Sequence, residues 1–285
     1  MPSLSNDWGS CSTAILEAHQ SLRYEYPGPI EDLHQALMLV PPDRLDGQLL
    51  LSYDVAAVPD ARPRYHTDQY GNRICTIVLP RVEQTLELAV VVRVERWPTN
   101  GASARSEGEA GLFLLPSPLA ESTDSLRAAA SAAGADDNYG LSLAGRINDW
   151  VHHHLVYRPG GTDFRTPAGA ALRLGAGVCQ DYAHVMIAMC RIAGLPARYV
   201  SGHLLGQGAM HAWTQVLVPS DDPAGSRRTW RSFDPTHGTE AGMPYITIAI
   251  GRDYTDVSPT RGTFRAAYAG RLAQSDQRAT VVSLS

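Results

Sequence analysis

The sequence predicts an α+β protein, with an antiparallel β-sandwich first and a mixed helical and stranded unit after it. Residues 18–97 hold short runs rich in Val, Leu, Ile and Tyr, broken by turn chemistry. Residues 143–192 instead carry apolar side chains at helical spacing. Strand-like runs return after residue 197, so helices sit between two blocks of strands rather than alternating with them. That order argues against a doubly wound sheet.

The early strands are SLRYEYPG, QLLLSYDVAAV, NRICTIVLP and TLELAVVVRVE, separated by PPDRLDG, PDARP and DQYGN. Their spacing suggests a small sandwich. LLPSPLAESTDS (114–125) then shifts the composition toward Pro and Ser, which places a domain boundary at about residue 115 and gives units 1–115 and 116–285. RAAASAA reads as a packed or surface helix. In LAGRINDWVHHHLVY, Leu143, Ile147, Val151 and Leu155 recur every four residues. A further helix starts at or near Cys179: Tyr182, Val185, Met186, Met189 and Ile192 share a stripe, Gly194 sits where a helix ends, and Pro196 blocks continuation. ARYVSGHLL, HAWTQVLVP, TWRSFDPT and YITIAI read as strands.

The chain has 285 residues, 44% apolar and 19% charged, with a formal net charge of -5. Its 24 Lys and Arg are scattered, so there is no basic footprint for nucleic acid. The longest apolar run, LELAVVVRV (86–94), is half the roughly 20 residues a membrane crossing needs. The first twelve residues have neither a basic segment nor an apolar one, so a soluble, cytoplasmic protein is expected. Four cysteines without CxxC spacing point to neither a disulfide framework nor a zinc site, and no cofactor or metal is expected.

GVCQDYAH (177–184) puts a thiol after a glycine and at a helix start. An isolated cysteine is more often a small buried hydrophobe than a nucleophile. A helix N-terminus or an adjacent imidazolium, however, lowers a thiol pKa from about 8.5 to about 3.5–7.5. The strands decide between these readings. Alternation puts His211, Trp213 and Gln215 on one face of HAWTQVLVP and groups Trp230, Ser232 and Asp234 in TWRSFDPT. Closing the chain around Asp222/Pro223 sets His211 directly opposite Asp234, close enough for an imidazole to bond a carboxylate. Cys179, His211 and Asp234 then form a nucleophile, base and orienter set.

The motifs GVCQDYAH, GLPARYVSG (194–202), HAW (211–213), FDPT (233–236) and GRDY (251–254) resemble those of the bacterial transglutaminase-like proteins. The N-terminal strands are similar to the β-rich domain that often precedes their core. The resemblance implies a papain-like core with Cys179 as nucleophile, His211 as base and Asp234 as orienter. It also implies attack on an amide carbonyl, a thioester, and resolution by an amine or water. The substrate expected is a peptide or other amide, with an amine as candidate acceptor; a purely hydrolytic peptidase or amidase and a non-catalytic interaction domain are the alternatives. The backbone N–H of Cys179 is one oxyanion donor, and Tyr157 or Gln180 is the candidate for the second. Trp213, Arg252 and Tyr254 are candidates for the cleft wall and rim.

Other chemistry-bearing residues have plainer readings. His152, His153 and His154 are consecutive on a helix and spread about 100° apart, so they cannot face one ion. His184 projects from the stem of its helix and reads as core, as does Cys190. Asp181 reads as a first-turn carboxylate suited to a helix N-terminus.

Overall fold

Alternating inward and outward side chains make the first 96 residues a pair of sheets. The structure is a computed structural model that describes residues 8, 11–45, 47–99, 102–103, 107–136, 139–220 and 228–285. Seven strands come first: β1 (Ala14–Glu25), β2 (Ile30–Leu37), β3 (Arg44–Leu45), β4 (Gln48–Val58), β5 (Arg64–Thr67), β6 (Arg73–Val82) and β7 (Thr85–Arg96). The middle holds β8 (Ala102–Ser103), α1 (Glu107–Leu112), α2 (Asp124–Ala132), α3 (Gly140–His154), β9 (Val156–Tyr157), α4 (Ala168–Leu174), β10 (Ala176–Gly177) and α5 (Cys179–Ile192). The remaining strands are β11 (Ala197–Leu204), β12 (His211–Pro219), β13 (Arg228–Asp234), β14 (Thr239–Glu240), β15 (Tyr245–Gly251), β16 (Thr260–Arg265) and β17 (Arg271–Leu284).

Two antiparallel sheets, ordered β17-β1-β7-β4-β3 and β16-β2-β6-β5, form the sandwich. Leu16, Leu22, Leu86, Leu88 and Val90 of one sheet and Ile30, Leu33, Ile77 and Leu79 of the other are buried in the same apolar cluster. The chain's last strands belong here. Strand β17 pairs with β1 along its full length, from Ala14↔Leu284 to Glu25↔Arg271, and β16 pairs with β2. Residues 116–285, expected as a separate unit, therefore include two strands that complete the N-terminal sheets.

A further antiparallel sheet is ordered β14-β13-β12-β11-β15, with β8 also pairing with β13. Helix α5 packs on β12 and β11, where the Thr214 hydroxyl donates to the Ala183 carbonyl at 3.3 Å. Strand β15 would present an open edge, a template for unwanted pairing. Two amide side chains of the sandwich close it. Gln48 donates Nε2 to the Thr247 carbonyl (2.8 Å) and accepts the Thr247 N–H (2.9 Å). Asn72 donates Nδ2 to the Ile250 carbonyl (2.7 Å) and accepts the Ile250 N–H (2.8 Å). Each amide acts as one further residue of a neighbouring strand.

The β12–β13 register corrects the predicted one. Gln215 pairs with Ser232 and Thr214 with Phe233, two residues away from the pairing that would set His211 opposite Asp234. The polar connection offers several turn centres of equal merit, and the Asp222/Pro223 turn itself lies outside the described residues. Because side chains alternate with a period of two, the slip leaves every residue on its predicted face.

Candidate active site

Helix α5 begins at Cys179, as the sequence predicts. Asp181 fixes this start: its Oδ2 accepts the Val178 N–H at 2.8 Å and the Thr162 hydroxyl at 2.6 Å, tying the helix to the 158–167 connection. Asp181 is buried, and burial, only partly offset by these hydrogen bonds, raises its carboxyl pKa. Gly177 is required by contact rather than by conformation. A Cβ there would lie 2.5 Å from Asp181 Oδ2 and 2.6 Å from Asp181 Cβ. Strands β9 and β10 pair in parallel, Val156 with Ala176 and Tyr157 with Gly177, and bring Tyr157 beside the thiol.

His211 opens β12, opposite Gly202 of β11. Gly202 also has a steric reason: a Cβ would sit 2.0 Å from the Ile246 carbonyl oxygen and 2.6 Å from the Trp213 ring. Asp234 closes β13. Although His211 and Asp234 are diagonal in the ladder, His211 Nε2 lies 2.7 Å from Asp234 Oδ2. The carboxylate only accepts, so Nε2 carries the proton. The Cys179 side chain is within interaction reach of the same ring, and Nδ1 is the nitrogen left for it. The three groups thus form one line, sulfur to imidazole to carboxylate.

Electrostatics reinforce it. Burial alone would push the His211 pKa down; hydrogen bonds to Asp234 and Cys179 and the charges of both outweigh that and hold it at about 9. Burial raises the Asp234 pKa, yet hydrogen bonds and charge from His211 and His237 hold the carboxyl well below its usual range.

Two partners of Asp234 escaped the sequence reading. His237 Nδ1 lies 2.7 Å from Oδ2, and the Tyr245 hydroxyl donates to Oδ2 at 2.9 Å. The Thr236 N–H donates to Oδ1 at 2.9 Å. His211, Asp234 and His237 bring three ligand-type atoms within 4.8 Å of one another, a spacing that two N–H donors on one carboxylate oxygen produce. The only signal for His237 was its place three residues after the carboxylate in a turn.

The other expected residues fall in different places. Tyr157 is 54% exposed and within electrostatic reach of Cys179; Gln180 is half-buried in the first turn of α5. Trp213, expected on the cleft wall, is only 1% exposed and stacks on His211 with ring centroids 6.2 Å apart, so it backs the imidazole from within the core. Trp230 is buried in the same second cluster, beside Phe113. Arg252 is engaged by Asp256 and the Tyr70 hydroxyl rather than by a triad residue. Tyr254 packs against Tyr199 and the exposed Phe164, and its N–H donates to His184 Nε2. His184 is core, with its pKa pushed by burial down to about 4. Cys190 is also core, and burial pushes its thiol up to about 12. His153 and His154 bond carbonyls of their own helix, while His152 bonds the Thr236 carbonyl.

Residues 127–235, which hold all three members of this line, match the transglutaminase-like superfamily, and residues 16–95 match the bacterial transglutaminase-like N-terminal region. The chain belongs to the transglutaminase-like superfamily. Over 134 residues it is 37% identical to an uncharacterised protein of Mycobacterium leprae, covering 44% of this chain and 43% of that protein. It is 24% identical over 207 residues to a protein-glutamine gamma-glutamyltransferase of Pseudomonas aeruginosa, covering 66% of this chain and 30% of that one. The matches thus span half or less of the length of these curated relatives. A crystal structure from Cytophaga hutchinsonii, described as a candidate cysteine protease, superposes over 95% of this chain and 91% of its own with a TM-score of 0.79. At 21% identity it shares the fold. Among the described residues no helix is long and apolar enough to cross a membrane.

Proposed function

We propose that this protein is a thiol acyltransferase that attacks an amide carbonyl of a peptide or related substrate through Cys179 and passes the acyl group to an amine or to water. The observation that carries the reading is the 2.7 Å His211–Asp234 hydrogen bond with Cys179 at the start of α5 in reach of the same imidazole. His211 takes the thiol proton at Nδ1 while Asp234 holds the ring by Nε2–H and stabilises the imidazolium. The sulfur adds to the carbonyl carbon, and the negative charge moves to oxygen. The Cys179 N–H, free of an intrahelical partner at the first position of α5, donates to that oxygen, with Tyr157 or Gln180 as the second donor. The imidazolium then protonates the leaving nitrogen, the C–N bond breaks and a thioester remains. An incoming amine or water loses its proton to His211 and regenerates the thiol. Transfer and hydrolysis use the same groups, and they diverge only in which nucleophile reaches the thioester.

Intact-mass spectrometry on libraries of amide peptides, with and without added amines, tests the reading: an acyl adduct on Cys179 that amines discharge is expected. Iodoacetamide alkylation at graded pH provides a check independent of substrate. Fast alkylation in neutral solution that slows in His211→Ala supports the nucleophile; a rate indifferent to that substitution would identify a non-catalytic scaffold.

A further inference from the structure

Asp234 holds more donors than a triad requires. Oδ2 faces His211 Nε2 at 2.7 Å, His237 Nδ1 at 2.7 Å and the Tyr245 hydroxyl at 2.9 Å. The two imidazoles differ in exposure: the His237 side chain is 41% exposed and that of His211 only 2%. Their ring centroids are 5.4 Å apart. His237 is fixed by the turn that follows Asp234. Gly238, at φ +67°, packs on the His152 ring so closely that a Cβ would come within 2.8 Å of it, and His152 Nδ1 bonds the Thr236 carbonyl.

The proton on His237 can be placed by its partners. Gln207 Nε2 lies 3.4 Å from His237 Nε2, and an amide nitrogen can only donate. Nε2 is therefore the acceptor, and Nδ1 carries the proton that Asp234 receives.

We propose that His237 is a positioning residue of the catalytic set: its Nδ1–H holds the Asp234 carboxylate against His211 and so keeps the imidazole aligned with the thiol. This rests on the thiol-enzyme reading above. The Tyr245 hydroxyl of β15 grips the same oxygen, and the Thr236 N–H holds Oδ1.

His237→Ala and His237→Asn test this on the full chain, read by iodoacetamide alkylation of Cys179 and, where an amide is turned over, by kcat/KM against pH. His237→Ala is expected to slow alkylation at neutral pH by about tenfold with overall secondary structure unchanged. His237→Asn retains an N–H for Oδ2. It is expected to restore the rate to within about threefold. A wild-type profile in His237→Ala, or an Asn variant as slow as the Ala variant, would overturn the proposal. Should His237→Ala not fold, the ring nitrogens of the wild-type protein decide by NMR: a proton on Nδ1 is expected, and an Nδ1 without one would refute the proposal. If alkylation follows these expectations but no amide ever acylates Cys179, the thiol-enzyme reading fails while the role of His237 in the pair stands.

Discussion

His211 bonds Asp234 across a diagonal of the β12–β13 ladder, Nε2 to Oδ2 at 2.7 Å. A diagonal partner is reached by the side chain rather than by backbone opposition, so its geometry depends on what else grips the carboxylate. Asp234→Asn presents an amide to two N–H donors and invites the wrong His211 tautomer. It should lower kcat by about 10³–10⁴-fold and leave residual turnover, whereas Cys179→Ala should abolish the acyl-enzyme. Intact-mass time courses check both, and equal residual activity in the two variants would contradict these roles.

The pH behaviour follows from the same pair. The His211 pKa is raised from 6.5 to about 9, so its imidazolium, the proposed acid for the leaving amine, persists to that range. The basic limb of kcat/KM is expected near pH 9. Stability has the same sign: the contribution of His211 is complete below pH 6.5 and is lost as pH rises through 9. The depressed Asp234 pKa acts oppositely, stabilising above its ordinary value of 3.8 and failing only in strongly acidic solution. Urea midpoints of wild type and His211→Ala should therefore converge between pH 6.5 and 9.

Gly177→Ala places a methyl 2.5 Å from the carboxylate that anchors the start of α5. A cost of about 1–3 kcal/mol in stability is expected, with slower alkylation of Cys179 because the first turn must shift. Denaturant titration and alkylation rate report the two effects separately. Unchanged alkylation would mean that the turn accommodates the methyl.

Asn72→Ala leaves an N–H and a carbonyl of the β15 edge without their amide partner, as Gln48→Ala does at Thr247. Each should cost about 1–3 kcal/mol. The pair of substitutions should also promote association through the opened edge, visible in light scattering. A monodisperse double variant of wild-type stability would show that water replaces the amides without penalty.

All 24 basic side chains are arginine. A guanidinium stays protonated and does not attack a thioester. When p-nitrophenyl acetate acylates Cys179, the acetyl group should therefore leave to water or added amine and not settle on the enzyme's own basic side chains. Arg165→Lys, exposed on the connection that Thr162 ties to the first turn of α5, should instead acquire a stable acetyl that Cys179→Ala prevents. Peptide mapping distinguishes these outcomes, and an unmodified lysine would show that residue 165 does not reach the thioester.

The proposed triad was legible because each residue carries a local mark: a glycine-bounded helix start for Cys179, and strand alternation for His211 and Asp234. The register was not, but a slip of two preserves the face, so the site survived the error. Strand β2 was missed because Glu31, Asp32 and His34 interrupt its alternation. Strand β17, RLAQSDQRATVVSL, is largely polar and exposed, and its conformation is imposed by pairing with β1 rather than by its own residues. His237 and Tyr245 were missed because their role comes from converging on one oxygen, which no spacing records.

The pairing of β1 with β17 also bears on how the molecule comes into being. Strand β1 must wait for a strand synthesised some 250 positions later. During translation the segments bearing the sulfur, the imidazole and the carboxylate emerge while that flank of the sandwich is still an open edge, exposed to stray partners. A polypeptide stopped short of residue 271 would leave the β1 flank of the sandwich permanently ajar.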